Sequence, residues 1–319
     1  MQTKSQTEPS PADHVLVGVS AAALDIATLC DVLSTALQTA KLCYDSSGQN
    51  ILSETGGTLA AEFSLKISAS ELETARYSLN DSLSSFSGDW ALLPAHNRRK
   101  QVLICDMDST IIAEECLDEL ADYAGLKAEI SAITERAMAG ELNFEEALTR
   151  RVGMLEGLPL SAVSACYEER IHLNPGAQTL VATMQANGAD CQLVSGGFTD
   201  FTSRVASEAG FTSHHANTLE NDGLSLTGKV GLPILGREAK LDRLQAAITA
   251  RNLDLDMAVC MGDGANDLAM IEAAGLGIAY QAKPIVAARA NAAINHTDLT
   301  TALFFQGYKR SEFRAKPAS

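Results

Sequence analysis

Basic residues are scarce in this chain: 24 Lys and Arg stand against 40 Asp and Glu, a formal net charge of −16. That deficit argues against nucleic acid and anionic membrane surfaces as general partners, because both call for a cationic face. It also sets a problem for any phosphate-bearing ligand, whose attraction must come from a metal and a few placed cations. Long apolar runs are missing too. No uninterrupted stretch is long enough to span a bilayer, and the opening segment MQTKSQTEPSPADH lacks the apolar core of a signal peptide. The expectation is a cytoplasmic protein without membrane contact, residues 1–13 forming a disordered tail. The seven cysteines include no C-x-x-C pair, and Cys105, Cys191 and Cys260 lie inside apolar runs as buried thiols. This usage argues for a reducing compartment and against a disulfide framework. Internal repeats and low-complexity segments are absent.

What is present is apolar material, 46% of 319 residues, enough for a substantial core in one large or two ordinary domains. His14–Ser20 reads as a strand, and 22–40 as a helix with Leu24, Ile26, Leu29, Val32, Leu33 and Leu37 on its apolar side. Residues 57–68 hold a strand, with 51–54 as its partner. A second helix is expected over 69–85 and a last strand over 90–93. This order suits a small ferredoxin-like α+β domain over 14–94, followed by a polar linker, 94–100 (PAHNRRK), into a second domain, 95–319. There the apolar runs Val102–Cys105, 191–195, 257–261 and Leu276–Tyr280 each end in polar or small residues. The last three are each followed by a helical pattern, which predicts a mostly parallel sheet covered on both faces. The exception is a helix-only stretch, about 115–174, read as an inserted cap. Asn221-Asp222-Gly223 marks a hairpin or flap.

Val102–Cys105 reads as a buried strand and runs straight into Asp106-Met107-Asp108-Ser109-Thr110. Two carboxylates one residue apart thus leave the C-terminal end of a strand, where ligands bind in open α/β sheets. Such a pair repels unless a cation intervenes or one acid holds a proton. Mg²⁺ would satisfy both, one Asp serving as nucleophile and its neighbour as general acid and base. A capped turn would use the same residue types. Gly262-Asp263-Gly264-Ala265-Asn266-Asp267 puts two more acids at a second strand end, where Asn266 or Asp267 could equally cap the next helix. Two acid-bearing strand ends in one sheet favour a shared oxygen-ligand metal site. Ser195-Gly196-Gly197 offers a hydroxyl and amides at a helix start, suited to phosphate, although S-G-G alone is a common turn. Lys240 opens an amphipathic helix with Leu241, Leu244, Ala247 and Ile248. A cation there opposes the helix dipole unless an anion lies nearby; a solvated lysine is the plain alternative. In the cap, Phe144, Ala147, Leu148 and Arg151 share one helical face. Arg151 is placed either to hold a carboxylate or to snorkel at the core edge.

The ordered set of motifs, with Glu115 downstream of the first and ERAMAGELNFEEALTRRV (135–152) in the cap, resembles the haloacid dehalogenase superfamily and, within it, the phosphoserine phosphatases, over roughly 101–308. The resemblance implies a Rossmann-like core with an inserted helical cap. It implies that Asp106 forms an aspartyl-phosphate with O-phosphoserine, and that Asp108 is the general acid and base. Mg²⁺ would be held by Asp106, the Asp108 carbonyl and Asp263, with Asp267 in support. Ser195, Gly196 and Lys240 would meet the phosphoryl oxygens, with Asn266 near the phosphate. Glu115 would take the substrate ammonium and Arg151 its carboxylate, while Met138 and Phe144 would line the closed pocket. The residues by themselves do not choose Glu115 over Glu114. The products would be serine and phosphate, in the last step of serine biosynthesis. The N-terminal order resembles the amino-acid-binding ACT module and so implies an amino-acid effector. Alternatives stay open: a related phosphatase or phosphotransferase for another small metabolite, or a phospho-accepting signalling module. Oligomeric state, a homodimer included, is also open.

Overall fold

A computed structural model describes residues 13–55, 57–138, 141–236 and 238–316. The expected tail lies outside the described residues except for Asp13, which is not loose: its amide bonds the Leu65 carbonyl at 3.1 Å and its carboxylate accepts the Ile67 amide at 2.9 Å. No helix among the described residues is long and apolar enough to cross a membrane.

The N-terminal unit runs β1 (His14–Ser20), α1 (Ile26–Thr39), β2 (Tyr44–Ser53), β3 (Leu59–Leu65), α2 (Leu72–Ser82) and β4 (Asp89–Pro94), as the pattern predicted. The strands pair antiparallel in the order β2-β3-β1-β4. Boundaries differ from expectation for local reasons. The first helix begins at Ile26, not 22, because the Asp25 carboxylate accepts the Thr28 amide at 2.7 Å and caps it there. β2 is longer than the expected 51–54 and carries irregular register against β3. β1 does not alternate because both its faces are buried. Leu16 packs with Leu29, Leu33 and Leu37 of α1, whereas Val15, Val17 and Val19 join the main core. The sheet is thus a wall of the larger domain.

The segment 94–100 is polar but firmly tied. Arg98 pairs with Glu62 at 2.6 Å and donates to the Phe304 and Phe305 carbonyls. Lys100 is buried, its ammonium on the Asp256 carbonyl at 2.7 Å. Beyond it come β5 (Val102–Cys105) and four cap helices: α3 (Cys116–Tyr123), α4 (Lys127–Met138), α5 (Phe144–Gly153) and α6 (Leu160–Arg170). The chain continues through α7 (Ala177–Ala186), β6 (Asp190–Phe198), α8 (Thr199–Ala209), β7 (Ser213–Asn217), the hairpin β8 (Leu219–Asn221) and β9 (Leu226–Val230), and α9 (Glu238–Ala250). It ends with β10 (Ala258–Gly262), α10 (Leu268–Ala273), β11 (Leu276–Tyr280), α11 (Pro284–Ala287), β12 (Ala292–Ile294) and α12 (Thr301–Phe305).

The second sheet is parallel throughout, ordered β12-β11-β10-β5-β6-β7. From β5 the chain moves outward through β6 and β7, then returns to the other side of β5 for β10, β11 and β12. The strand order therefore switches direction between β5 and β10, and a crevice opens beyond their C-terminal ends. Both acidic motifs end there.

Candidate active site

β5 delivers Asp106 to the crevice in an extended conformation, its Oδ1 accepting the Met107 amide at 2.8 Å. Asp108 is also extended, and Ser109 then turns left-handed at φ 53°. This winding separates the two carboxylates. Asp106 Oδ2 lies 2.6 Å from Lys240 Nζ and 3.5 Å from the Asn266 amide nitrogen. Asp108 faces the other way: its Oδ1 accepts the Cys116 amide at 2.9 Å and its Oδ2 the Ser195 hydroxyl at 3.0 Å.

From β10, Asp267 comes back under the crevice, fully buried. It does not cap α10 through its side chain. Its Oδ1 takes Lys240 at 2.5 Å and its Oδ2 the Gly264 amide at 3.0 Å. Gly262 makes this fold-back feasible, since a Cβ there would collide with the Asp267 carboxylate. Lys240 is therefore no solvated lysine but a buried ammonium bridging two strand ends. Burial alone would lower its pKa, but the Asp106 and Asp267 charges outweigh that and hold it above the ordinary lysine value. Burial and then Asp267 push Asp106 well up, against Lys240. Burial also raises Asp108, against its hydrogen bonds from Cys116 and Ser195. Asp263 is raised by burial and by Asp267.

Carboxylate oxygens of Asp106, Asp263 and Asp267 lie within 4.8 Å of one another. The Asp108 carboxylate is outside that group, turned toward Ser195. A set of three crowded, electrostatically stressed carboxylates and no sulfur or nitrogen donor fits a hard divalent cation.

A cavity of about 380 Å³ above these groups is lined by Phe144, Ser195, Gly196, Lys240 and Asn266, among others. Phe144 reaches it from the start of α5, which Asn143 and Glu146 fix with a reciprocal capping box. Gly197 sits tightly: a Cβ there would lie 3.0 Å from Ser195 Oγ and 3.1 Å from Asp108 Oδ2, so both side chains would have to give way. Arg151, on the α5 face with buried Ala147 and Leu148, is half-buried and its Nε donates to the Ala147 carbonyl at 3.3 Å. Burial lowers its pKa, while Asp118 and Glu115 oppose that fall. Arg150 is exposed. The side chain of Met138 lies outside the described residues.

The structure separates the two glutamates that the sequence could not. Glu114 accepts the His172 amide at 3.1 Å across the cap hinge. Glu115 accepts the Ser109 hydroxyl at 2.8 Å, beside the acidic motif. Desolvation by the surrounding protein, and then the Asp108 charge, raise Glu115 from 4.5 to about 7, even though part of the residue reaches solvent. Three contributors escaped the sequence. Ser109 holds Glu115; the Cys116 amide holds Asp108; and buried Asn217 donates to the Gly196 carbonyl at 2.9 Å while accepting the Leu235 amide at 2.7 Å. Asn217 thereby joins the Ser195 loop to the segment leading into α9. Only its place at a strand end hinted at this.

A family model for haloacid dehalogenase-like hydrolases matches residues 103–272, more than half the chain. A phosphoserine phosphatase of Streptococcus thermophilus is 46% identical over 200 residues, which cover 63% of this chain and 93% of that protein. One from Streptomyces coelicolor is 39% identical over 258 residues, 80% of this chain but 62% of the longer relative. Among solved structures, a probable phosphoserine phosphatase of Vibrio cholerae superposes with a TM-score of 0.75 at 29% identity, covering 95% of this chain and 88% of that one. The last match extends over both the antiparallel N-terminal unit and the parallel core, and the family model, spanning the strand-end carboxylates, establishes that the chain belongs to the haloacid dehalogenase-like hydrolase family.

Proposed function

We propose that this chain hydrolyses O-phosphoserine to serine and phosphate, closing serine biosynthesis. The observation that carries this is the meeting under one cap of a Lys240-paired strand-end carboxylate, Asp106, and a second acid, Asp108, held by Ser195. The substrate is suggested by the names of the relatives.

In the proposed reaction an Asp106 oxygen attacks phosphorus in line, and the Asp106–phosphorus bond forms as the bond to the seryl oxygen breaks. Burial favours the protonated form of Asp108, and that proton goes to the departing seryl oxygen. Ionised Asp108 then accepts a proton from water, whose oxygen bonds to phosphorus while the aspartyl bond breaks. Lys240, the Ser195 hydroxyl and the Gly196 amide steady the phosphoryl oxygens, and Asn266 stands beside them. Asp106, Asp263 and Asp267, with the Asp108 backbone carbonyl, would hold Mg²⁺, which when bound neutralises phosphoryl charge. In the cap, Glu115 takes the substrate ammonium and Arg151 its carboxylate, while Phe144 and Met138 exclude water.

Phosphate release from a panel of small phosphomonoesters, with Mg²⁺ or EDTA and for wild type and Asp106→Asn, tests this. Phosphoserine should lead, and both EDTA and the substitution should abolish release. If another ester leads under the same dependences, the Glu115 and Arg151 assignments fail and a different metabolite is the substrate. If no ester is hydrolysed, the proposed activity is wrong.

A further inference from the structure

A second cavity, about 540 Å³, opens between the two domains, within the size range of small-molecule sites. One wall is built by α2, β4 and their connection, with Arg76, Tyr77, Phe86 and Trp90. The other comes from the stretch between α11 and β12, with Ala288 and Asn291. Arg76 is half-buried and donates to the Leu92 carbonyl at 2.8 Å and the Asn291 carbonyl at 3.3 Å. Those bonds use two of the five N–H donors of a guanidinium. Among the described residues no acid pairs with Arg76, whereas Arg98 has Glu62 and Arg170 has Glu119 and Asp122. The one acid in the cavity wall, Asp89, is already saturated by the amides of Asn295, His296 and Thr297 and by the Thr297 hydroxyl. Burial lowers the Arg76 pKa with no carboxylate to offset it. A cation desolvated without a counter-charge, in a chain of net charge −16, leaves a place for an anionic group. Around it the surface is aromatic and small: Trp90 and Phe86 on one side, Ala288 opposite, and Tyr77, 80% exposed, alongside.

We propose that this interdomain cleft binds a small organic carboxylate, its anionic end on Arg76 and its apolar body against Trp90. The site is independent of the proposed phosphatase chemistry but lies on its framework. Asn291 is clasped to β11 by paired bonds with Gly277, at 2.6 and 2.9 Å. At the head of α11 the Lys283 amide donates to the Asp263 carbonyl at 3.2 Å. The far wall of the cleft is thus joined through one short helix to the loop that carries an acidic residue of the active site.

Trp90 is the sole tryptophan of the chain, so its emission reports occupancy directly and without reference to activity. The intact chain would be titrated with phenylacetate, with L-phenylalanine and with uncharged phenylacetamide. Saturable change is expected with the carboxylates and binding at least about tenfold weaker with the amide. The stronger of phenylacetate and phenylalanine then says whether the occupant is a simple acid or an amino acid. Arg76→Met should weaken carboxylate binding by about tenfold or more. Ala288→Phe, at an exposed position where folding is undisturbed, should block the cleft with Arg76 intact. The proposal is overturned if no carboxylate saturates, if the amide binds as well, or if Ala288→Phe binds like wild type. It is equally overturned if Arg76→Met, folded by circular dichroism, retains wild-type affinity, for Arg76 would then be only an interdomain brace.

Discussion

Replacing Arg151 with alanine separates a substrate-binding role from a merely structural one. The guanidinium stands on the inward face of α5, half-buried, and among the described residues it makes one hydrogen bond, from Nε to the Ala147 carbonyl. Its terminal nitrogens are therefore available for a carboxylate. A hydrogen bond to a charged partner contributes about 1.5–3 kcal/mol. Partial exposure screens a bidentate pair, so a loss of about 2–3 kcal/mol in transition-state stabilisation is reasonable. That corresponds to roughly 30- to 150-fold in kcat/KM. The assay is phosphate release from phosphoserine and from phosphoethanolamine, which keeps the ammonium and phosphate but lacks the carboxylate. Wild type should prefer phosphoserine, and Arg151→Ala should erase most of that preference while leaving phosphoethanolamine turnover nearly unchanged. Equal losses on both substrates, accompanied by a fall in Tm, would refute the reasoning, because Arg151 would then only be closing the last turn of the cap helix.

For Glu115, the sign follows from a pKa raised from 4.5 to about 7: the carboxylate proposed to meet the ammonium is increasingly protonated below that pH. KM for phosphoserine should therefore rise as pH falls through about 7, and KM for phospholactate, which has no ammonium, should not. The same raised value makes ionised Glu115 a burden on the fold, absent below 4.5 and complete above about 7. Metal-free Glu115→Gln should accordingly gain Tm relative to wild type as pH rises across that window, read by thermal melts at each pH. Gly197→Ala would press a methyl against Ser195 and Asp108 and should cut phosphate release by about a hundredfold, as misplaced catalytic groups do, with little change in the melting curve. Breaking the Arg98–Glu62 pair, 13% and 12% exposed, should cost about 3–5 kcal/mol in urea unfolding for Arg98→Met, with part of that restored when Glu62→Leu is added.

What was legible in the sequence was whatever depends on a few neighbouring residues. An apolar run followed by two acids locates a strand end, and two such ends in one parallel sheet predict a crevice. α5 was legible because the spacing of Phe144, Ala147, Leu148 and Arg151 is local. The second face of β1 was not, since HVLVGVS looks the same whether Val15, Val17 and Val19 meet a helix layer or, as here, the main core. Nor was the firmness of 94–100, whose charges find partners more than thirty residues away in Glu62 and more than two hundred away at Phe304 and Phe305. The different placing of Glu115 and Glu114 was not legible either, since one bonds the Ser109 hydroxyl and the other the His172 amide, 58 residues away. Asn217 was hidden because its hydrogen bonds join segments about twenty residues away on either side.

The charge deficit of the whole chain is repeated within the site, and there it becomes informative. Asp106, Asp108, Asp263 and Asp267 gather around one buried ammonium, Lys240, which pairs with Asp106 and Asp267. A phosphate monoester entering such a place would be repelled as strongly as the carboxylates repel one another. Two changes relieve that repulsion. One is a proton kept on Asp108, which its burial favours and which the proposed reaction would pass to the leaving oxygen. The other is a divalent cation among Asp106, Asp263 and Asp267, the three whose oxygens already converge. Asp108 stands apart from that group, so the proton and the cation do not compete for one carboxylate. If they did, filling the metal site would strip the proton needed for the leaving group. On the proposed function, the division of four acids into three that converge and one turned toward Ser195 would let an acidic protein accept an acidic substrate.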